Sequence, residues 1–150
     1  MTLQPTLAGF LVFLRSPVVG FNTTVLPDSE PVIPAAYEWA IELVNQNINC
    51  VANYWYTQAV YNLGADVIVN FAPDQAGQTF FADLRSNWNV LKNVSGTIKW
   101  AGDEGTQTAL VVPKAAEMFT ISDLQNMKTP WGRNYLAIAQ KYGPSVWGIS

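Results

Sequence analysis

Histidine is missing from this sequence altogether, and the chemistry that depends on it is missing too. Without an imidazole there is no Ser-His-Asp or Cys-His nucleophile, no His-ligated metal and no ordinary general base near neutral pH. Cysteine occurs once, at Cys50, which excludes an intrachain disulfide and a Cys-rich zinc site. Charge is scarce: Asp, Glu, Lys and Arg make up 13% of the 150 residues, against a usual share of about 25%. With eight Lys and Arg and a net charge of −3, the chain lacks the basic footprint of a nucleic-acid-binding domain. No apolar run reaches the roughly 18 residues of a membrane-spanning helix. The stretch Leu7 to Leu14 has neither a basic segment before it nor a small-x-small cleavage site before Arg15. It reads as a short N-terminal helix or arm and not as a secretory signal.

What the chain has in quantity is apolar and aromatic side chains. Hydrophobic residues make up 49%, which excludes a disordered tail, and the length suits one compact domain over residues 1–150. Residues 1–33 comprise the N-terminal helix or arm and a connector holding Pro17, Pro27 and Pro31. Fixed φ at each proline keeps that connector irregular, either an arm extended along a surface or an ordinary loop wrapped on the chain's own core. A helical core follows over 34–143. Its first helix opens at Pro34 and carries the stripe Tyr37, Ala40, Ile41, Val44 and Ile48. A second spans Val51 to Phe71 and is apolar or aromatic nearly all round, so more than one of its sides is buried. In a domain this small, neighbouring subunits are expected to cover the extra sides. Gly64 within it marks close packing or a kink. A short helix is expected over Phe80 to Lys92.

The period then changes. Val94, Gly96, Ile98 and Trp100 alternate with polar residues, the turn-like stretch 101–105 follows, and Thr106 to Val112 is rich in β-formers. That pattern predicts a β-hairpin over about 94–112. The last helix opens at Thr129-Pro130, an N-cap followed by a proline suited to the first helical position. Trp131, Tyr135, Ile138 and Tyr142 form its stripe, and Gly143-Pro144 stops it. Ser122 is placed to cap a short turn through Met127. The tail 144–150, with Val146, Trp147 and Ile149, is apolar without a period and is expected to dock. The fold class is mainly α: a small helical bundle with an inserted β-hairpin and extended N- and C-terminal arms.

Few side chains offer catalysis. Glu38 and Glu42 sit one turn apart, a spacing open to acid/base hydrolysis or to a cation, and equally that of a solvated helix face. Asp103 and Glu104 read as turn chemistry. Cys50 reads as a small buried residue, since a reactive thiol needs a nearby cation or helix N-terminus. No cofactor or metal site is implied. The six Trp, six Tyr and seven Phe are the dominant feature. Beyond core packing, such rings serve as anchors of protein contacts, or as stacking platforms for a carbohydrate or other small ligand, with Trp39, Trp55 and Trp88 as the candidates. So little charge leaves a monomer of this composition sticky unless it associates.

Three segments together resemble the small head-to-tail adaptor, or head completion, proteins of tailed bacteriophages. They are the helix pair around Ala36-Tyr37-Glu38-Trp39-Ala40 and Tyr56-Thr57-Gln58-Ala59-Val60-Tyr61-Asn62-Leu63, the segment Val94-Ser95-Gly96-Thr97-Ile98, and Thr129-Pro130-Trp131-Gly132-Arg133-Asn134-Tyr135-Leu136. The last is similar to the Thr-Pro-Tyr/Trp-Gly-x-x-Tyr/Phe ending of that family. The short Phe-rich helix that opens such adaptors has only a loose counterpart in Phe10 to Pro17, and the proline connector here is longer. The resemblance implies a non-enzymatic virion protein of the phage neck, present in the host cytoplasm during assembly. It implies a ring, expected to be a dodecamer, between the portal protein and a tail terminator or stopper protein. DNA would pass through its lumen without sequence-specific binding, and no membrane is involved. Trp131, Arg133 and Tyr135 are expected to anchor the last helix, and Val146, Trp147 and Ile149 to contact a neighbour or the portal.

Overall fold

The structure is a computed structural model that describes residues 4–90, 101–103, 106–108 and 126–142. Its first helix, α1, runs Leu7–Arg15 and is opened by Thr6, whose side chain accepts the Gly9 amide hydrogen at 3.0 Å. Further helices are α2 at Val32–Leu43, α3 at Asn47–Val51, α4 at Asn53–Phe71, α5 at Phe80–Asn87 and α6 at Pro130–Tyr142. Two three-residue strands, β1 at Ala101–Asp103 and β2 at Thr106–Thr108, pair antiparallel with Gly102 opposite Gln107. The molecule is therefore mainly helical.

Helix α4 is the axle. Among its 19 residues, Tyr56, Thr57 and everything from Ala59 to Val69 are buried. The all-round apolar character is thus satisfied within a single chain, because α1, α2, α3, α5 and α6 all pack on it. This corrects the expectation that neighbouring subunits cover its extra sides. At Gly64 α1 comes close: a Cβ there would lie 2.7 Å from the Phe10 ring, so the absence of a side chain makes room for the tip of the phenyl against the helix. Phe10 is fully buried, and so are Leu14, Ile68 and Val69. Burying each such side chain contributes about 1.5–3 kcal/mol.

Several helix boundaries move: α4 begins at Asn53 and not at Val51, which closes α3. Helix α2 begins at Val32, two residues before Pro34, because the third helical N–H has no partner to lose and the proline is accommodated there. The expected stripe to Ile48 is split at Val44, whose backbone is extended, and Asn45 then accepts the Asn47 amide hydrogen at 2.8 Å to start α3. Ala40, Val44 and Ile48 still face the core. Helix α5 stops at Asn87, short of Lys92. Asn89 adopts φ of +52°, and the amides of Asn89 and Val90 return to the carbonyls of Ser86 (3.2 Å) and Arg85 (2.9 Å). This is a Schellman closure with asparagine in the left-handed position.

The proline connector is a loop wrapped on the chain's own core and not an extended arm. It folds into turns that bury Phe21 and Leu26, and Arg15 holds it by donating to the carbonyls of both residues at 2.6 Å and pairing with Asp28. Phe21 then meets Phe80, Phe81 and Trp131 edge-on at centroid distances of 5.8, 5.5 and 5.4 Å. That cluster joins connector, α5 and α6. Ala101–Asp103, expected as part of a turn, is strand. The remainder of the hairpin expected over 94–112, the Ser122 cap and the tail lie outside the described residues.

Candidate functional site

Large apolar side chains left in solvent include Leu7 and Val12 on α1 and Met127, but the exposed aromatic ones lie at the two ends of α4. At its C-terminal end, Phe71 is 62% exposed and stacks on Trp39 of α2, itself 49% exposed, with centroids 5.6 Å apart. Leu43, one turn beyond Trp39, is exposed beside them. Glu38 and Glu42 share this outward face of α2 and are exposed. The first patch is an aromatic knob with carboxylates at its edge.

At the N-terminal end, Trp55 stacks on Tyr142 of α6 at 5.9 Å, and Tyr54 meets it edge-on at 5.1 Å. Beside Trp55 opens a groove of about 440 Å³ between α1, α4 and α6, lined by Phe13, Val18, Gln58, Asn62, Asn134 and Ile138 among others. Asn134 donates to the Asn62 side chain at 3.4 Å across its floor. Arg133 and Lys141 on α6 are exposed, and the Lys141 Nζ lies 5.2 Å from the Tyr142 ring centroid. This second patch is a concavity with cations beside it. Trp55 and Phe71 lie about 24 Å apart along α4 and about 160° apart around it at 1.5 Å and 3.6 residues per turn.

Between the patches lies a polar junction that sequence reasoning passed over. Asp66 is buried in the apolar middle of α4, and the Thr129 hydroxyl donates to its carboxylate. The same hydroxyl accepts the Gly132 amide hydrogen at 3.0 Å, so Thr129 caps α6 as its position foretells. Asn70 adds a longer hydrogen bond to the other Asp66 oxygen at 3.3 Å. Desolvation raises the Asp66 pKa to about 6, with the Thr129 hydrogen bond opposing the rise. A lone acid inside Gly-Ala-Asp-Val-Ile is the signal that marked it. Gly132 is equally determined, since a Cβ there would run into the Asn126 backbone carbonyl.

Of the residues expected to anchor the last helix, Trp131 is buried against Phe21 and Trp88. Tyr135 is half-buried against the core, and Arg133 is exposed. Val146, Trp147 and Ile149 lie outside the described residues. Of the three candidate stacking tryptophans, Trp39 and Trp55 are exposed, whereas Trp88 is half-buried with its ring edge-on to Trp131 at 5.4 Å. Cys50 is exposed and not buried, because α3 turns Ile48 inward and a residue two positions on points away. Glu38 and Glu42 are exposed on α2 and line neither the groove beside Trp55 nor the one at Arg15. Among the described residues no three acidic or cysteine side chains gather to hold a metal, and no helix is long and apolar enough to cross a membrane. Compared with models of protein families, with characterised proteins and with solved structures, the chain matches none.

Proposed function

We propose that the chain is a non-enzymatic structural subunit of a tailed-bacteriophage virion. In this reading it is a head-to-tail adaptor whose copies form a ring between the portal and a tail terminator or stopper, with a lumen that passes DNA. One observation carries the reading: a helix buried all round in its own chain holds two different aromatic patches at its ends, facing nearly opposite ways. Exposed apolar clusters of this kind mark contact surfaces. Two unlike patches on one rigid element suit a head-to-tail contact, which closes into a ring when the rotation per subunit allows. The net charge of −3 suits a conduit that must not trap a duplex. A hairpin over about 94–112 and the C-terminal tail would supply the reaching parts that portal and stopper contacts require. Negative-stain imaging of the purified chain tests the reading: annular particles support it, and particles of single-chain size oppose it.

The groove beside Trp55 favours one other reading, a binding module for a carbohydrate or small ligand. Its indole and the amides of Gln58 and Asn134 offer a stacking face and hydrogen bonds in one place. Quenching of tryptophan fluorescence by simple sugars would support this module, and a flat titration would remove it.

A further inference from the structure

We infer that the occupant of the Trp55 groove is a second copy of this chain, which inserts its Trp39–Phe71 knob there. The inference rests on the subunit reading and adds which surface meets which. Charge supports the pairing. The knob carries Glu38 on its own face of α2, with Glu42 one turn beyond, and both are exposed. The groove carries Lys141 on the stripe of Asn134 and Ile138, with Arg133 one turn before Ala137. The other cations near these surfaces have partners: Arg15, two residues from Phe13, pairs with Asp28, and Arg85, near Phe71, donates to the carbonyls of Val69 and Ala72. Knob against knob would set carboxylates together, and groove against groove would set cations together. Among the described residues, only the head-to-tail pairing brings opposite signs face to face.

Size agrees. A cavity of about 150 Å³ holds one benzene ring, and the groove, at about 440 Å³, has room for the stacked indole and phenyl. Because the two surfaces differ and sit about 160° apart around α4, the docked pair keeps one knob and one groove free. Growth continues until the ring closes.

The test uses two variants of the full chain. One removes the knob (Trp39→Ser with Phe71→Ser) and the other fills the groove (Ala137→Trp), each first shown to be folded by circular dichroism. Alone, neither associates. Mixed, they retain one intact knob and one intact groove between them, so they form a 1:1 heterodimer that grows no further. Separately, Glu38→Lys with Glu42→Lys weakens self-association about tenfold or more, and adding Arg133→Glu with Lys141→Glu restores it. If the wild-type chain associates but the mixture yields no heterodimer, this pairing is wrong and the subunit reading stands. A wild-type chain monomeric at every concentration overturns the pairing and removes the support of the subunit reading as well.

Discussion

The hydroxyl of Thr129 donates to the buried carboxylate of Asp66 and accepts the Gly132 amide hydrogen, so one side chain fastens the start of α6 to the middle of α4. Thr129→Val removes the cap and leaves a buried carboxylate without its best donor. The expected loss is about 2–4 kcal/mol, from a cap worth about 1 and an unsatisfied buried group costing about 1–3. Thr129→Ser keeps both bonds and should cost less than about 1 kcal/mol. Urea unfolding at neutral pH distinguishes them.

The same carboxylate sets a pH dependence. Its pKa is raised from 3.8 to about 6. Between those values the folded chain holds a proton that the unfolded chain has released. Stability contributed by this group is therefore full below pH 3.8 and falls as pH rises through about 6. At most about 3 kcal/mol is involved. Asp66→Asn keeps an acceptor for Thr129 and abolishes the titration. The difference in unfolding free energy between wild type and Asp66→Asn should favour the variant increasingly from pH 4 to 7. A difference constant with pH would contradict the assignment.

Gly64→Ala sets two effects against each other. Alanine gains about 1 kcal/mol in helix propensity over glycine. The new methyl, however, would lie 2.7 Å from the fully buried Phe10 ring, and overpacking of that kind costs about 1–3 kcal/mol. Packing should win, lowering the melting temperature. Phe10→Leu in the same chain should recover part of the loss by opening the contact, which a double-mutant cycle would reveal.

Cys50 is exposed on a one-turn helix. A thiol reagent should label it in the folded protein about as fast as in urea. Strong protection in the folded state would mean that α3 packs the other way round.

Much of the fold was legible where a residue type has a local job. Thr129 and Pro130 mark a helix start by what their own side chains can and cannot bond, and the inward spacing of Ala40, Val44 and Ile48 is visible in the residues alone. The break within that stripe was not legible, because an Asn45 turn leaves the spacing intact while it redirects the axis. The prolines announced an irregular connector but not that Phe21 would turn inward, since its partners Phe80, Phe81 and Trp131 lie 59 or more positions away. The knob had a local trace in Trp39 standing between Glu38 and Glu42. Its partner Phe71 is a tertiary fact. Asp66 had the plainest trace of all, a charge in an apolar run, and needed Thr129 to give it meaning.

The central claim is that the exposed aromatic patches exist to hold copies together. Sedimentation velocity across a concentration series, for wild type and for Trp39→Ser, tests it most directly. The account predicts that wild-type mass rises with concentration and settles at one closed species, and that Trp39→Ser stays small. A wild-type chain that keeps the mass of a single copy throughout would contradict it.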